Sequence, residues 1–208
     1  MTSETTKPVL WNMLFLCWLI AGVATLGSLF FSEVMDRFPV ACLRIPGAGS
    51  EDELGRIADL AREIAHARDV AVVIDDHVQL ALRHGLDGVH LKDGARSVRY
   101  ARKELGNDAI VGAFCGASRH DGINAAEAGA DYVSFGPCGE TALGHGAVAG
   151  LELFQWWSEM IEVPIVAEGG LDAVLIGKLA PITDFFAIGP EIWAKDDPMD
   201  ALSHLWRQ

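Results

Sequence analysis

Ala128-Gly129-Ala130-Asp131-Tyr132-Val133-Ser134-Phe135-Gly136-Pro137 is the stretch whose reading decides the fold. A helix ending at Gly129 is expected, because positive φ costs least in a residue without Cβ. Tyr132 to Phe135 is short, aromatic and β-branched, the composition of a buried strand. Gly136-Pro137 stops that strand and opens a loop over 138–146 with three more glycines. Helix, glycine turn, buried strand and glycine-rich loop make one step of a parallel α/β protein.

Weaker copies flank this step. His84-Gly85-Leu86-Asp87-Gly88-Val89-His90-Leu91 has the same order of parts, and Glu162-Val163-Pro164-Ile165-Val166-Ala167-Glu168-Gly169-Gly170 runs a strand into a double glycine. Repeated units with short links imply a (β/α)₈ barrel or a doubly wound sheet. A barrel carries its chemistry on the loops after the strands, so candidate residues are sought there.

The 208 residues are 50% hydrophobic, enough for one compact domain with a large core. The formal net charge of −13 argues against nucleic-acid binding, which is driven by phosphate neutralisation. It also means that an anionic ligand needs local help from backbone N–H groups, a few bases or a metal. Cys17, Cys42, Cys115 and Cys138 form no C-x-x-C pair and read as reduced thiols of a cytoplasmic protein.

Residues 1–7 are polar and expected to fray. The apolar run 9–31 is long enough to span a bilayer, too long for a signal peptide, and has no small-residue cleavage site. Within it and beyond, Val23, Leu26, Phe30, Val34 and Phe38 recur at helical spacing, with Thr25, Ser28, Ser32, Asp36 and Arg37 among the other positions. That is the pattern of an amphipathic helix. Downstream lie seven buried-strand candidates: 40–45, 70–74, 88–91, 110–113, 132–135, 164–167 and 185–188. A closed ring needs an eighth, which 10–19 can supply. The expected architecture is thus a single α/β (β/α)₈ TIM barrel over 8–208, with 8–38 as an atypical first βα unit. A membrane anchor over 9–31 is the alternative. Ser50-Glu51-Asp52-Glu53 has the form of a capping box opening a helix to about residue 67.

Four motifs then carry a resemblance. Val72-Val73-Ile74-Asp75-Asp76, Asp87-Gly88-Val89-His90-Leu91, Gly129 to Pro137 and Val163 to Gly170 stand in the order and spacing of the thiamine-phosphate synthase/TenI family of (β/α)₈ proteins, which this chain resembles from about residue 38 onward. The resemblance implies a synthase that joins a pyrimidine diphosphate to a thiazole phosphate and releases pyrophosphate. Such a site works by electrostatic positioning, with Mg²⁺ and bases on the leaving group and backbone N–H groups on the thiazole phosphate.

Carried over residue by residue, the resemblance implies Asp76 as a Mg²⁺ carboxylate, with Asp75 in place of an amide that faces the substrate. The second metal carboxylate falls at Ala95, leaving Asp93 two positions away to serve. The base-rich turn after the second strand reads Arg44-Ile45-Pro46-Gly47-Ala48 and keeps one base, Arg44. Lys92 has no counterpart among the family's bases, but as the only lysine on an expected top loop between the second and sixth strands it is expected to join Arg44 on pyrophosphate. Thr141 matches one threonine of the sixth loop, while the second threonine falls at Leu143 and a lysine at Gly144. A serine after the fifth strand falls at Phe114. Gly169, Gly170 and Gly189 are left for the thiazole phosphate; a serine after the eighth strand is Pro190, which has no N–H to donate. The TenI histidine falls at Pro137. Asp75, His77 and His90 are expected to touch ligand.

Losing one preorganised charge contact costs on the order of 10²–10³ in rate. Lys92, His77, His90 or His145 would therefore have to compensate. The alternative function is a catalytically degenerate barrel that binds a small phosphorylated ligand without turnover. For the residues the plainer readings are helix caps at Asp75 and Asp76, structural histidines, inert thiols at Cys115 and Cys138, and packing for Trp156 and Trp157. Self-association into a homo-oligomer is a further expectation.

Overall fold

The structure is a computed structural model that describes residues 13–17, 20–141 and 147–206, with side chains from residue 29 onward. The expected frayed terminus, parts of the apolar run, and Leu143, Gly144 and His145 lie outside the described residues. The elements alternate: β1 Met13–Cys17, α1 Ile20–Arg37, β2 Val40–Ile45, α2 Glu51–His66, β3 Ala71–Asp75, α3 Val78–His84, β4 Gly88–Leu91, α4 Val98–Leu105, β5 Ile110–Phe114, α5 Arg119–Glu127, β6 Tyr132–Phe135, α6 Leu151–Met160, β7 Ile165–Glu168, α7 Ala173–Leu179, β8 Phe185–Ile188, α8 Pro190–Trp193 and α9 Pro198–Trp206. Strands β2 to β8 lie side by side in chain order, all parallel, in a curled TIM-like sheet. β1 registers with both ends of that sheet, Phe15 standing opposite Cys42 and Ala187.

Boundaries follow local chemistry. Ser50 Oγ accepts the Glu53 N–H at the start of α2, Ser118 Oγ accepts that of Asp121, and Asp172 Oδ1 that of Leu175. Gly129 turns the chain after α5 at φ +101°. Three strands end one residue later than their sequence pattern predicts, at Asp75, Phe114 and Glu168. Ladder bonding continues past the apolar run, and at β3 and β7 the terminal polar residues, Asp75 and Glu168, are themselves buried.

The recurring aspartate of the sequence repeat has a definite job. Asp87, Asp131 and Asp184 each precede a strand, and each exchanges two hydrogen bonds with one residue of the strand before it. Their carboxylates accept the N–H of Val72, Val111 and Ile165, and their own N–H groups donate to the carbonyls of the same three residues. This clamp sets the register of β4 on β3, β6 on β5 and β8 on β7.

Side-chain alternation divides the interior into two layers. Leu43, Ile45, Val72, Ile74, Val89, Leu91, Val133 and Phe135 face the helices and form the main core with residues such as Leu54, Phe154 and Trp157. Trp157 is fully buried against Phe135, and its Nε1 donates to the Val163 carbonyl. Cys42, Val73, Tyr132, Val166 and Ala187 fill the inside of the curled sheet. Gly112 makes room there: a Cβ on it would stand 2.0 Å from the Tyr132 ring.

α1 is amphipathic as expected, with Phe31 and Val34 fully buried and Leu29 exposed. Among the described residues no helix is long and apolar enough to cross a membrane. Cys42, Cys115 and Cys138 are buried.

Candidate functional site

Two residues beyond the apolar inner layer, at the strand ends, the same faces turn polar. Arg44, Asp75, Ser134 and Glu168 stand there on β2, β3, β6 and β7, joined by His90 on β4. Arg44 is only 7% exposed. Its Nε donates to Asp75 Oδ1 at 2.6 Å and its Nη1 to Glu168 Oε2 at 2.7 Å. The other Glu168 oxygen accepts from Ser134 Oγ at 2.7 Å. Such a buried group holds only while complete, since removing one partner strands a charge away from water.

Lys92 closes the network from above. Its Nζ stands 3.3 Å from Asp75 Oδ2 and 3.5 Å from Asp76 Oδ2, with its side chain 48% exposed. Burial alone would raise the Asp75 carboxyl, but Arg44, with His90 and Lys92 adding to it, holds it below the usual carboxylate range. The bonding groups thus comprise two cations and three carboxylates, and offer no surplus positive charge.

His90 lies beside this network at 1% exposure. One ring nitrogen, Nδ1, is 2.8 Å from the Tyr132 hydroxyl; Nε2 has no hydrogen-bond partner among the described residues. Burial, reinforced by the Arg44 charge, pushes its pKa down to about 4 against the pull of Glu168 and Asp75, so the ring is neutral at pH 7.

The two carboxylates expected to hold a divalent cation are both engaged by protein groups. Asp76 takes left-handed φ of +58°, which turns its Oδ1 onto the Lys92 N–H at 2.8 Å, while its Oδ2 faces the Lys92 ammonium. Asp93 Oδ2 accepts from Ser97 Oγ at 2.7 Å. The Lys92 ammonium therefore stands beside the carboxylate to which the resemblance assigns Mg²⁺. Among the described residues no group of three His, Cys, Asp or Glu side chains converges as a metal ligand set.

On the opposite side, Gly169 and Gly170 follow β7 at φ +81° and +68°. The turn packs against the loop after β6 so closely that a Cβ on Gly170 would lie 2.6 Å from the Gly139 carbonyl carbon. The backbone N–H groups of Gly170 and Leu171 converge with that of Gly189, which follows β8. All three donate to one carboxylate: Gly170 N at 2.8 Å and Leu171 N at 3.3 Å to Glu191 Oε1, and Gly189 N at 2.9 Å to Glu191 Oε2.

The remaining expected site residues are dispersed. His77 caps α3 by position rather than by side chain, its Nε2 lying 2.9 Å from the Gly47 carbonyl. Thr141 is exposed at the edge of the undescribed 142–146 segment. Asp76 is not a helix cap, its carboxylate being turned to Lys92. Burial pushes the Cys115 and Cys138 thiols up to about 12, leaving them unreactive. A recess between the loops after β4 and β5 is lined by Lys92, Asp93, Arg96, Phe114, Cys115 and Ser118, among others.

Glu168, Ser134, Glu191 and Arg96 were not among the expected site residues. Glu168 and Ser134 carried a signal, each being a polar residue in a strand too buried to expose it. Glu191 carried none, because an acid just after Pro190 reads as an ordinary first-turn helix residue.

Residues 39–183 match the family described as thiamine monophosphate synthase. Among curated proteins, the thiamine-phosphate synthase of Erythrobacter litoralis is 40% identical over 151 residues, 71% of each chain. That of Rhodospirillum centenum is 39% identical over 165 residues, 78% of this chain and 80% of its own. Among solved structures, thiamine phosphate pyrophosphorylase from Pyrococcus furiosus superposes with a TM-score of 0.80 over 93% of both chains at 22% identity, a likeness of fold.

Proposed function

We propose, of a chain that belongs to the thiamine monophosphate synthase family, that it works in thiamine biosynthesis as a transferase, joining a pyrimidine diphosphate to a thiazole. In that reaction the bond from the pyrimidine CH₂ carbon to the diphosphate oxygen breaks, and its electron pair leaves with pyrophosphate. The thiazole ring nitrogen supplies the pair for the new C–N bond, so no general base is required. The resemblance implies the thiazole phosphate as second substrate and the cytoplasm as the place of work. The finer fold reading, a complete (β/α)₈ barrel over 8–208, rests on the registers of β1 with β2 and β8.

The observation that carries the reading is the convergence of Arg44, Asp75, His90, Lys92 and Glu168 at the strand ends. Lys92, half exposed and held by carboxylates, is the cation best placed to follow a departing diphosphate. Arg96, on the same recess, is a second. Arg44 holds Asp75 and Glu168 in position, and neutral His90 adds no charge beneath the developing carbocation. No step is assigned to a divalent cation. Pyrophosphate release from the two precursors, together with rescue of a thiamine-requiring strain lacking its synthase, tests the proposal.

The engagement of Arg44 by two buried carboxylates favours a second reading: a barrel that binds such a ligand without turnover. Measurable binding of a thiazole ligand without pyrophosphate release or rescue would select it.

A further inference from the structure

Among the described residues, Glu191 is the one acid whose carboxylate is held by three backbone N–H groups from two different loops. Those loops follow β7 and β8, the pair that in barrels of this kind most often receives a phosphate. The bond lengths and the use of both carboxylate oxygens are those of an anion seated in an amide nest. The Gly189 contact is local, two residues away, but Gly170 and Leu171 lie 21 and 20 residues off, so the seat is tertiary and not a simple helix cap. Gly170 has no space for a side chain, which fixes the nest. A ligand phosphate could use these amides only by expelling Glu191 and leaving its charge beside the newcomer. Asp172, Asp196, Asp197 and Asp200 line the adjoining recess, where Lys195 is the only lysine or arginine among the described lining residues.

We propose that Glu191 is a specificity residue: its carboxylate permanently fills the amide nest that a substrate phosphate would take, and the thiazole partner is accepted as its uncharged alcohol instead of its phosphate ester. This rests on the reading of the barrel mouth as a thiazole site. The nest binds anions, and the chain supplies its own. A neutral hydroxyl can dock beside the seated carboxylate and donate to it, whereas a phosphate dianion is repelled by it.

Calorimetric titration of the full chain with the thiazole alcohol and with its phosphate ester tests this, on the wild type, Glu191→Gln and Glu191→Ala. Gln removes the charge at constant size; Ala opens the nest. Thermal melts report whether each variant is folded. The wild type should bind the alcohol at least as tightly as the ester. Both variants should gain about tenfold or more for the ester and bind the alcohol no more tightly than the wild type does. A wild type that prefers the ester by about tenfold, or variants that leave ester binding within about twofold, would overturn the proposal. If no form binds either thiazole, the functional reading of the mouth fails. Inorganic phosphate then still decides the nest: it should raise the melting temperature of Glu191→Ala and not of the wild type, and equal responses would sink the idea.

Discussion

On the β2–β4 side of the barrel mouth a lysine ammonium stands among carboxylates; on the β7–β8 side a carboxylate stands among backbone amides. The first arrangement rests on a flexible side chain, 48% exposed, whose charge contacts are 3.3 and 3.5 Å long. The second rests on bonds as short as 2.8 Å to main-chain N–H groups that cannot rotate away. Lys92 can swing to a ligand at small cost, because exposed pairs are worth little. Glu191 can be displaced only by giving up three bonds together. Counting charges along a chain therefore says little about which of them a ligand can reach.

The comparison breaks most visibly beneath Lys92, where the network is no longer exposed. Arg44→Met strands Asp75 and Glu168 and should cost about 3–5 kcal/mol in denaturant unfolding. Adding Asp75→Asn and Glu168→Gln to it should recover most of that loss. A single-variant loss below about 1 kcal/mol would show that the buried pairs do not hold the mouth together.

Lys92→Met should lower pyrophosphate release by about 10²–10³, through the lost charge on the leaving group. Its unfolding free energy should move by less than about 1 kcal/mol, because the side chain is half exposed. Equal losses of rate and stability would make Lys92 structural.

His90 sharpens the contrast through pH. Its folded pKa of about 4 lies below the 6.5 of the unfolded chain, so between those values the unfolded state binds more protons and stability falls as pH falls. About 3 kcal/mol should be lost from pH 7 to pH 4, and His90→Gln should flatten that slope. The lowered Asp75 carboxyl adds a loss of the same sign at lower pH, below its unfolded value. A slope unchanged in His90→Gln would place the titration elsewhere.

The smallest effect is expected at Ser134→Ala, which removes one hydrogen bond to Glu168 and should cost about 1–2 kcal/mol. A neutral result in thermal unfolding would mean that water replaces the hydroxyl.

Much of the fold was legible because its signals are local. Gly129, the aspartates before strands, and Ser50, Ser118 and Asp172 at helix starts each act within a few residues, and the strands from β2 onward fall within a residue of the pattern, while the short helix α8 has no counterpart in it. Period-two alternation also places Arg44 and Asp75 on the inner face. What alternation cannot supply is the partner. Arg44 meets Glu168 across 124 residues and Glu191 meets Gly170 across 21, encounters set by curling the sheet. Asp76 illustrates the limit: its match to a metal carboxylate is a matter of position, while its orientation follows from a left-handed φ and the Lys92 N–H. The same holds for Gly189, whose amide is present where expected but already taken.

The central claim, that the mouth carries its own cation and its own anion, is tested most directly by a crystal structure grown with Mg²⁺ and phosphate. The account predicts Lys92 Nζ between Asp75 and Asp76 and Glu191 on the amides of Gly170, Leu171 and Gly189. A hydrated cation on Asp76, or a phosphate on the Gly170 and Gly189 amides with Glu191 turned away, would contradict it.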